Sequence, residues 1–308
     1  MTQSPRRVLV TGATGFIGTH VVRALLSAGW AVDAMVREPP SRSFGPGVRL
    51  VPGNLDSPDQ FSALVSGTSA VVHLAAFLPP SWVDSLHADT LVRRNALATL
   101  RLAESTLEVG GRRFVYVSSG NSFAPGVENP TEDCPLYPVA RATYYLASKV
   151  LGEFYVEHLR RTLGLDAVTL RITSTYGDGM PPSAVVARFM SAAARGGTLD
   201  VRDGGVPTYD LVYVGDVVAA IVRAASSSPA GVYNVGGGRA YTVAEIASAA
   251  AAVYEERRPC VRIVPPDGPP APGFPSLSID RARAAWQYEP TPLAVGLASM
   301  RCALEGRK

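Results

Sequence analysis

Apolar and polar positions in the first half of the chain follow two alternating rhythms. Residues 7–10 form a short valine-rich run that ends at Thr11-Gly12. From 18 to 28 the residues Val21, Val22, Leu25 and Leu26 recur at helical spacing. Stretches 31–36, 48–52 and 70–74 read as further strands, and helical patterns lie at 58–65 and 91–108. A strand at 114–118, a long helix at about 143–163 and a strand at 167–172 continue the series. Strands alternating with helices predict right-handed crossovers and a parallel sheet covered on both faces.

After Arg171 the rhythm breaks. Pro181-Pro182, Gly196-Gly197 and Gly204-Gly205 punctuate shorter elements. A strand and an apolar helix return over 211–225, followed by a strand at 231–235, a helix at 243–255 and a strand at 261–264. A proline-rich loop, 265–275, and a last helix finish the chain, with no internal repeat. The expectation is an α/β fold. A doubly wound parallel sheet uses 1–172 and about 210–238, and a smaller, discontinuous α/β substrate domain uses about 173–209 and 239–308.

Composition narrows the classes. The chain has 308 residues, 47% apolar and 18% charged, enough for one large core or two unequal ones. A net charge of +3 with dispersed Lys and Arg predicts no nucleic-acid partner. The longest apolar stretch, 69–78 with His73 inside it, falls short of the roughly 18 apolar residues a membrane span needs. The opening MTQSPRRVLVTG carries no apolar leader. Cys134, Cys260 and Cys302 show neither metal nor disulfide spacing, which fits a reducing cytoplasm.

The first candidate for chemistry is the run Val8-Leu9-Val10-Thr11-Gly12-Ala13-Thr14-Gly15-Phe16-Ile17-Gly18. It reads as strand, tight turn and helix start. Gly12 permits the turn, Gly15 lets the backbone approach a pyrophosphate, and Gly18 lets the helix pack against the sheet. The pyrophosphate would sit on the helix N-terminus, where free N–H groups and the dipole favour anions. This is the Rossmann pattern for a dinucleotide. The second strand ends Met35-Val36-Arg37, with no carboxylate at its tip to hold ribose hydroxyls. Arg37, assisted by Arg42, can pair with a 2′-phosphate, so NADP(H) is expected to be preferred over NAD(H).

The second candidate is Tyr145 with Lys149, four apart in a predicted helix and therefore on one face. A nearby ammonium favours phenolate, which predicts a lowered tyrosine pKa and an acid/base usable near neutral pH. Upstream, the strand at 114–118 runs into Ser118-Ser119, at the strand end where sheet ligands bind. Taken singly, each feature is also compatible with an ordinary surface pair or strand end.

Together these residues resemble the extended short-chain dehydrogenase/reductase superfamily, of the NAD-dependent epimerase/dehydratase type. The resemblance runs through Val72-His73-Leu74-Ala75-Ala76, Asn95, the serine strand and Tyr-x-x-x-Lys. It continues through Leu170-Arg171 to Tyr176-Gly177, then 212–217 and Tyr233-Asn234-Val235-Gly236. It implies Tyr145 as general acid/base, Lys149 on the nicotinamide ribose, and Ser119 orienting the reacting oxygen, with Tyr144 and Ser118 as runners-up. It implies cofactor contacts from Gly12, Thr14, Gly15, Phe16, Ile17, Gly18, Arg37, Asn54, Leu55, Leu74, Ala75, Ala76 and Asn95, besides Tyr145 and Lys149. Substrate contacts are implied at Ser119, Asn121, Ser174 and Tyr209, and a homodimer through the helices at 91–108 and 143–162.

The departures limit the chemistry. Nucleotide-sugar 4,6-dehydratases carry Asp-Glu after the catalytic hydroxyl residue, where this chain has Gly120-Asn121. Similar enzymes that invert carbons beside a ketone carry a Cys at the first of these positions. The remaining chemistry needs a hydride and one proton. Nucleotide-sugar members also grip the diphosphate with two arginines. Tyr209 stands at one position and the 273–277 stretch offers none, leaving Arg188, Arg195 and Arg202 as substitutes. The leading expectation is an NAD(P)-dependent oxidoreductase interconverting a secondary alcohol and a ketone on a small metabolite such as a sugar derivative. The alternative is a nucleotide-sugar 4-epimerase working through a transient 4-ketone. A regulator that only senses the dinucleotide is disfavoured by the presence of Ser119, Tyr145 and Lys149.

Overall fold

The computed structural model describes residues 6–39, 44–81, 85–110, 112–123, 127–136, 143–226, 229–269 and 273–306. Arg42 lies outside them. The strands are β1 (Arg7–Thr11), β2 (Ala31–Val36), β3 (Val48–Pro52), β4 (Ala70–His73), β5 (Arg113–Ser119), β6 (Ala167–Ile172), β7 (Ser174–Tyr176), β8 (Thr198–Val201), β9 (Thr208–Tyr213), β10 (Gly231–Val235), β11 (Ala240–Thr242) and β12 (Cys260–Ile263). The helices are α1 (Phe16–Ser27), α2 (Phe61–Val65), α3 (Ala88–Leu91), α4 (Ala98–Glu108), α5 (Tyr144–Leu163), α6 (Val185–Ala193), α7 (Val214–Ser226), α8 (Val243–Val253), α9 (Asp280–Trp286) and α10 (Leu293–Glu305). A π-helical stretch, Val92–Leu97, joins α3 to α4.

Seven strands form one sheet in the order β10-β6-β5-β4-β1-β2-β3. The pairings from β5 through β4, β1 and β2 to β3 are parallel. Val8, Leu9, Val10 and Thr11 of β1 have no exposed surface, as expected of a strand covered on both faces. The strand order reverses between β1 and β4, so their C-terminal ends open the crevice where ligands of such sheets bind. Two small sheets, β11-β9-β7 and β12-β8, accompany it. The α/β class and the parallel sheet are as the sequence pattern predicts.

Contacts group the chain into two compact units. The first contains 1–122, 136–171 and 218–233, with a core built on Leu9, Phe61, Val71, Leu102, Phe114, Tyr116 and Val156. The second contains 123–135, 172–217 and 234–308, with a core built on Tyr176, Phe189, Met190, Leu199, Ile246, Tyr254 and Leu297. Segment 123–135 is stitched into the second unit by polar bonds. Asn234 N–H donates to Glu132 Oε1 at 2.8 Å, and Asn234 Nδ2 donates to the Pro130 carbonyl at 3.1 Å.

Local chemistry sets the ends of the longest helix. Thr143 caps α5 by accepting from Leu146 N–H at 3.1 Å, and Gly164 terminates it at φ +73°. That cap places Tyr145 in the first turn. Among the described residues no helix is long and apolar enough to cross a membrane.

Candidate active site

The glycine loop lies at the end of β1. Gly12 has φ +70°, and a side chain there would meet Ala75 N at 2.7 Å. A side chain at Gly18 would collide with the Gly12 carbonyl, so α1 starts as close to the turn as backbone allows. Gly15 is different. Its φ of −76° suits any residue, and an added Cβ would meet only Gly12 O at 3.2 Å. Gly15 and Thr14 are exposed, and the first turn of α1 has neither a side-chain cap nor an acid. Two glycines therefore build the turn, and the third leaves open backbone at an uncapped helix N-terminus. This cradle fits the pyrophosphate of a dinucleotide.

Around it, a chain of buried hydrogen bonds holds the strand ends in register. Ala75 N–H donates to Thr11 Oγ1 at 3.2 Å, and Thr11 Oγ1 lies 2.7 Å from His73 Nδ1. His73 Nε2 lies 2.9 Å from Thr99 Oγ1, whose hydroxyl donates to the Asn95 carbonyl at 2.6 Å. Since Thr99 spends its proton on that carbonyl, His73 must donate from Nε2 and accept at Nδ1. Burial pushes the His73 pKa down to about 3, so this neutral imidazole is a strut. Asn95 clasps the next loop. Its Oδ1 accepts from Phe77 N–H at 2.7 Å, and its Nδ2 donates to Phe77 O at 3.0 Å and Ser148 Oγ at 3.1 Å. Asn95 thus holds the backbone after Leu74-Ala75-Ala76, all three of which are half-buried.

The tip of β2 matches its sequence. Arg37 is exposed there. Asp33, an acid within β2, is fully buried and accepts from Arg7 at 2.7 Å and from Arg49 at 3.0 and 2.6 Å. Its oxygens are occupied within the strand. Asn54 Oδ1 accepts from Asp56 N–H at 2.7 Å, which shapes the turn after β3 where half-buried Leu55 sits.

The candidate residues Ser119, Tyr145 and Lys149 come from the end of β5 and from α5, two elements that pack against each other. Ser119 Oγ accepts from Asn121 N–H at 3.2 Å, which leaves its own hydroxyl proton to donate. Ser118 Oγ is buried with no hydrogen-bond partner among the described residues. Tyr145 is half-buried and its neighbour Tyr144 is exposed, which favours the former as the site residue. Lys149 is 4% exposed, and its Nζ sits 4.3 Å from the Tyr116 ring centroid. The lowered tyrosine pKa expected from the Tyr145–Lys149 spacing does not hold. Burial pushes the Tyr145 pKa up to about 12. Burial likewise pulls Lys149 down to about 7, against the opposing charge of Glu153. In the protein alone both groups are driven toward their neutral forms, so Tyr145 keeps its proton at neutral pH.

Ser174 and Tyr209 belong to the second unit, on β7 and β9, and both are half-buried. Tyr209 packs against Phe274 with ring centroids 5.6 Å apart. The next residue, Asp210, accepts from Gly237 N–H at 2.6 Å and Leu277 N–H at 3.0 Å, which fixes the backbone under that aromatic pair. Arg188, Arg195 and Arg202 are exposed.

The profile of the NAD dependent epimerase/dehydratase family matches residues 8–236. The chain belongs to this family. Within the epimerase/dehydratase family it is similar to a UDP-glucose 4-epimerase of Mycolicibacterium smegmatis, 33% identical over 264 residues, 80% of this chain and 82% of that protein. It is also similar to a dTDP-4-dehydro-6-deoxy-D-allose reductase of Streptomyces bikiniensis, 30% identical over 310 residues, 95% of this chain and 94% of that one. Among solved structures, the UDP-glucose 4-epimerase of Thermus thermophilus in complex with NAD superposes with a TM-score of 0.83. It is 29% identical and covers 98% of this chain and 100% of its own. The chain is thus an enzyme of an NAD-dependent family whose members act as nucleotide-sugar epimerases, dehydratases and reductases. Sequence reasoning did not single out Thr11, Thr99, Ser148, Glu153 or Arg171 as supports of the site. The available signal was polar or charged residues at positions whose neighbours are apolar, as Thr11 and Arg171 are at strand ends.

Proposed function

We propose that this enzyme moves a hydride to and from a secondary alcohol carbon of a nucleotide-linked sugar, as a 4-epimerase working through a transient 4-ketone. The observation that carries the hydride-only reading is the turn after Ser119. Gly120–Ser122 is a short 3-10 turn bearing Asn121 and no acid or base. Elimination of water needs a proton-transferring group at that place, and neither Gly120 nor Asn121 is one. The similarity to two UDP-glucose 4-epimerases moves the reading from an unspecified small metabolite toward a nucleotide sugar.

The chain's residues divide the work. The glycine loop and the α1 N-terminus bind the pyrophosphate, and Lys149 holds the nicotinamide ribose. When bound, the dinucleotide supplies hydride acceptance and donation. Ser119 donates a hydrogen bond that strengthens as charge grows on the substrate oxygen. Tyr145 gives the proton to that oxygen or takes it back. Asn121, two residues after Ser119, contacts the sugar. An epimerase keeps its cofactor and shows no net redox change. The test is to incubate the purified protein with UDP-glucose and dTDP-glucose, following the 4-epimer and the reduced-nicotinamide absorbance. Stoichiometric copurified dinucleotide and epimer without net absorbance change support the proposal. Failure of UDP and dTDP to bind in calorimetry would exclude a UDP- or dTDP-linked substrate.

One observation favours a second reading, reduction of a ketone with NADPH. Arg37 is exposed at the tip of β2, and the acid in that strand is already paired. A guanidinium there matches a 2′-phosphate by charge-assisted bonds. The relative aligned over 95% of this chain is itself named a reductase. On this basis Arg37→Ala lowers NADPH affinity and leaves NADH affinity nearly unchanged, as measured by fluorescence titration. An equal loss for both removes the assignment.

We further propose a homodimer through the helices from 88 to 108 and α5. Val92, Leu97, Tyr144 and Phe154 are large apolar residues exposed on them. Light scattering at micromolar concentration should give twice the chain mass, and a monomer mass contradicts it.

A further inference from the structure

The buried face of α5 carries Tyr145, Lys149 and Glu153 at successive helical turns. Arg171, at the end of β6, closes the series. The side chains of Arg171 and Glu153 are each 7% exposed. Arg171 Nε donates to Glu153 Oε1 at 2.9 Å, and Arg171 Nη2 donates to the same oxygen. The second oxygen, Oε2, is buried and accepts no hydrogen bond from any described residue. A fork-to-fork pair would use both oxygens. This one leaves an anionic oxygen free in a low-dielectric interior, which is tolerable when a cation lies near. Lys149, one turn back on the same face, is that cation, and Glu153 acts on it electrostatically.

We propose that Glu153, oriented by Arg171, is a positioning residue that holds Lys149 in its charged form during hydride transfer. The role rests on the reading of Tyr145 and Lys149 as the proton-handling pair. Composition adds a second line of support. Of 29 basic residues, only Lys149 and Lys308 are lysines. Arginine stays charged wherever it is placed, whereas a buried lysine readily loses its charge. The interior cation of this site is therefore of the type that needs a partner to stay charged.

The other groups packed around Lys149 do not supply that charge. On its own helix, Tyr145 is uncharged at neutral pH. From β5, Tyr116 is raised well above the ordinary tyrosine value by burial and is neutral. From β4, His73 is neutral. The π-helical stretch presents uncharged Asn95, while Arg93 and Arg94 form partly exposed ion pairs with Asp89 of α3 and with Asp56. Arg101 and Glu104 of α4 pair with each other at the surface. The turn Gly120–Ser122 has no titratable side chain.

The small number of lysines makes a direct test practical. Isotope labelling of lysine side chains gives signals from Lys149 and Lys308, and the Lys149 titration midpoint is read by NMR in the full-length protein. In Glu153→Gln the midpoint should fall by about one to three pH units, the size of one close opposite charge. The same fall is expected in the double variant Glu153→Leu/Arg171→Met, which replaces the buried pair with apolar side chains and keeps the fold if the single variant does not. The alkaline limb of kcat/KM should move to lower pH with it. An unchanged midpoint in either folded variant overturns the proposal. A lowered midpoint with an unmoved rate profile supports the charge-holding role and counts against Tyr145 and Lys149 as the proton-handling pair.

Discussion

A Tyr145→Phe variant folds and binds dinucleotide normally, and its turnover falls by about two to four orders of magnitude. In the proposed mechanism the Tyr145 hydroxyl exchanges the proton with the substrate oxygen. With its pKa pushed up to about 12 by burial, Tyr145 is a proton donor at neutral pH without further help. As a base it depends on the cation four residues on, and Lys149→Met should therefore weaken both cofactor binding and turnover. Ser119→Ala should cost less than the tyrosine change, because it removes a hydrogen bond and leaves the proton path intact. Near-normal turnover in Tyr145→Phe, measured with enzyme showing wild-type dinucleotide affinity, would move the acid/base role elsewhere. Tyr144 and Cys134 would then be tested, although Tyr144 is exposed and Cys134 belongs to the second unit.

The second large effect separates two glycines three residues apart. Gly18→Ala drives a Cβ into the Gly12 carbonyl, and only movement of backbone can relieve it. The cost is about 1–3 kcal/mol or more of stability, with loss of dinucleotide binding as α1 is pushed off the turn. Gly15→Ala meets the same carbonyl at 3.2 Å with an ordinary φ, so the carbonyl has to give by only a few tenths of an ångström and the thermal midpoint falls far less than in Gly18→Ala. It should still weaken dinucleotide binding, because the new methyl stands on open backbone at the helix N-terminus. Thermal denaturation and dinucleotide titration of both variants check this. Equal destabilisation by the two substitutions would show that the loop is not divided in this way.

Much of this protein was legible in order along the chain because the relevant physics is local. Strands at 31–36, 48–52, 167–172 and 231–235 match their sequence ranges. For 31–36 and 167–172 the reason is burial on both faces, which favours apolar runs, whereas 48–52 is an edge strand with Leu50 exposed. The glycine loop and the Tyr145–Lys149 spacing were readable because a turn and a helical repeat each involve few neighbouring residues. Tertiary structure decided the rest. β7 and β11 have three residues each and owe their existence to pairing with β9, which no local pattern records. Asn95 stands out in sequence only as part of a motif, and the fold alone shows that its amide holds Phe77, 18 residues away. The titration of Tyr145 was expected to fall with a lysine one turn along, and it rises. Spacing sets which groups are neighbours, but burial sets the dielectric between them. Burial is a property of the packed sheet, of β5 and α5 together, and of a Glu153–Arg171 pair closed across 18 residues of chain.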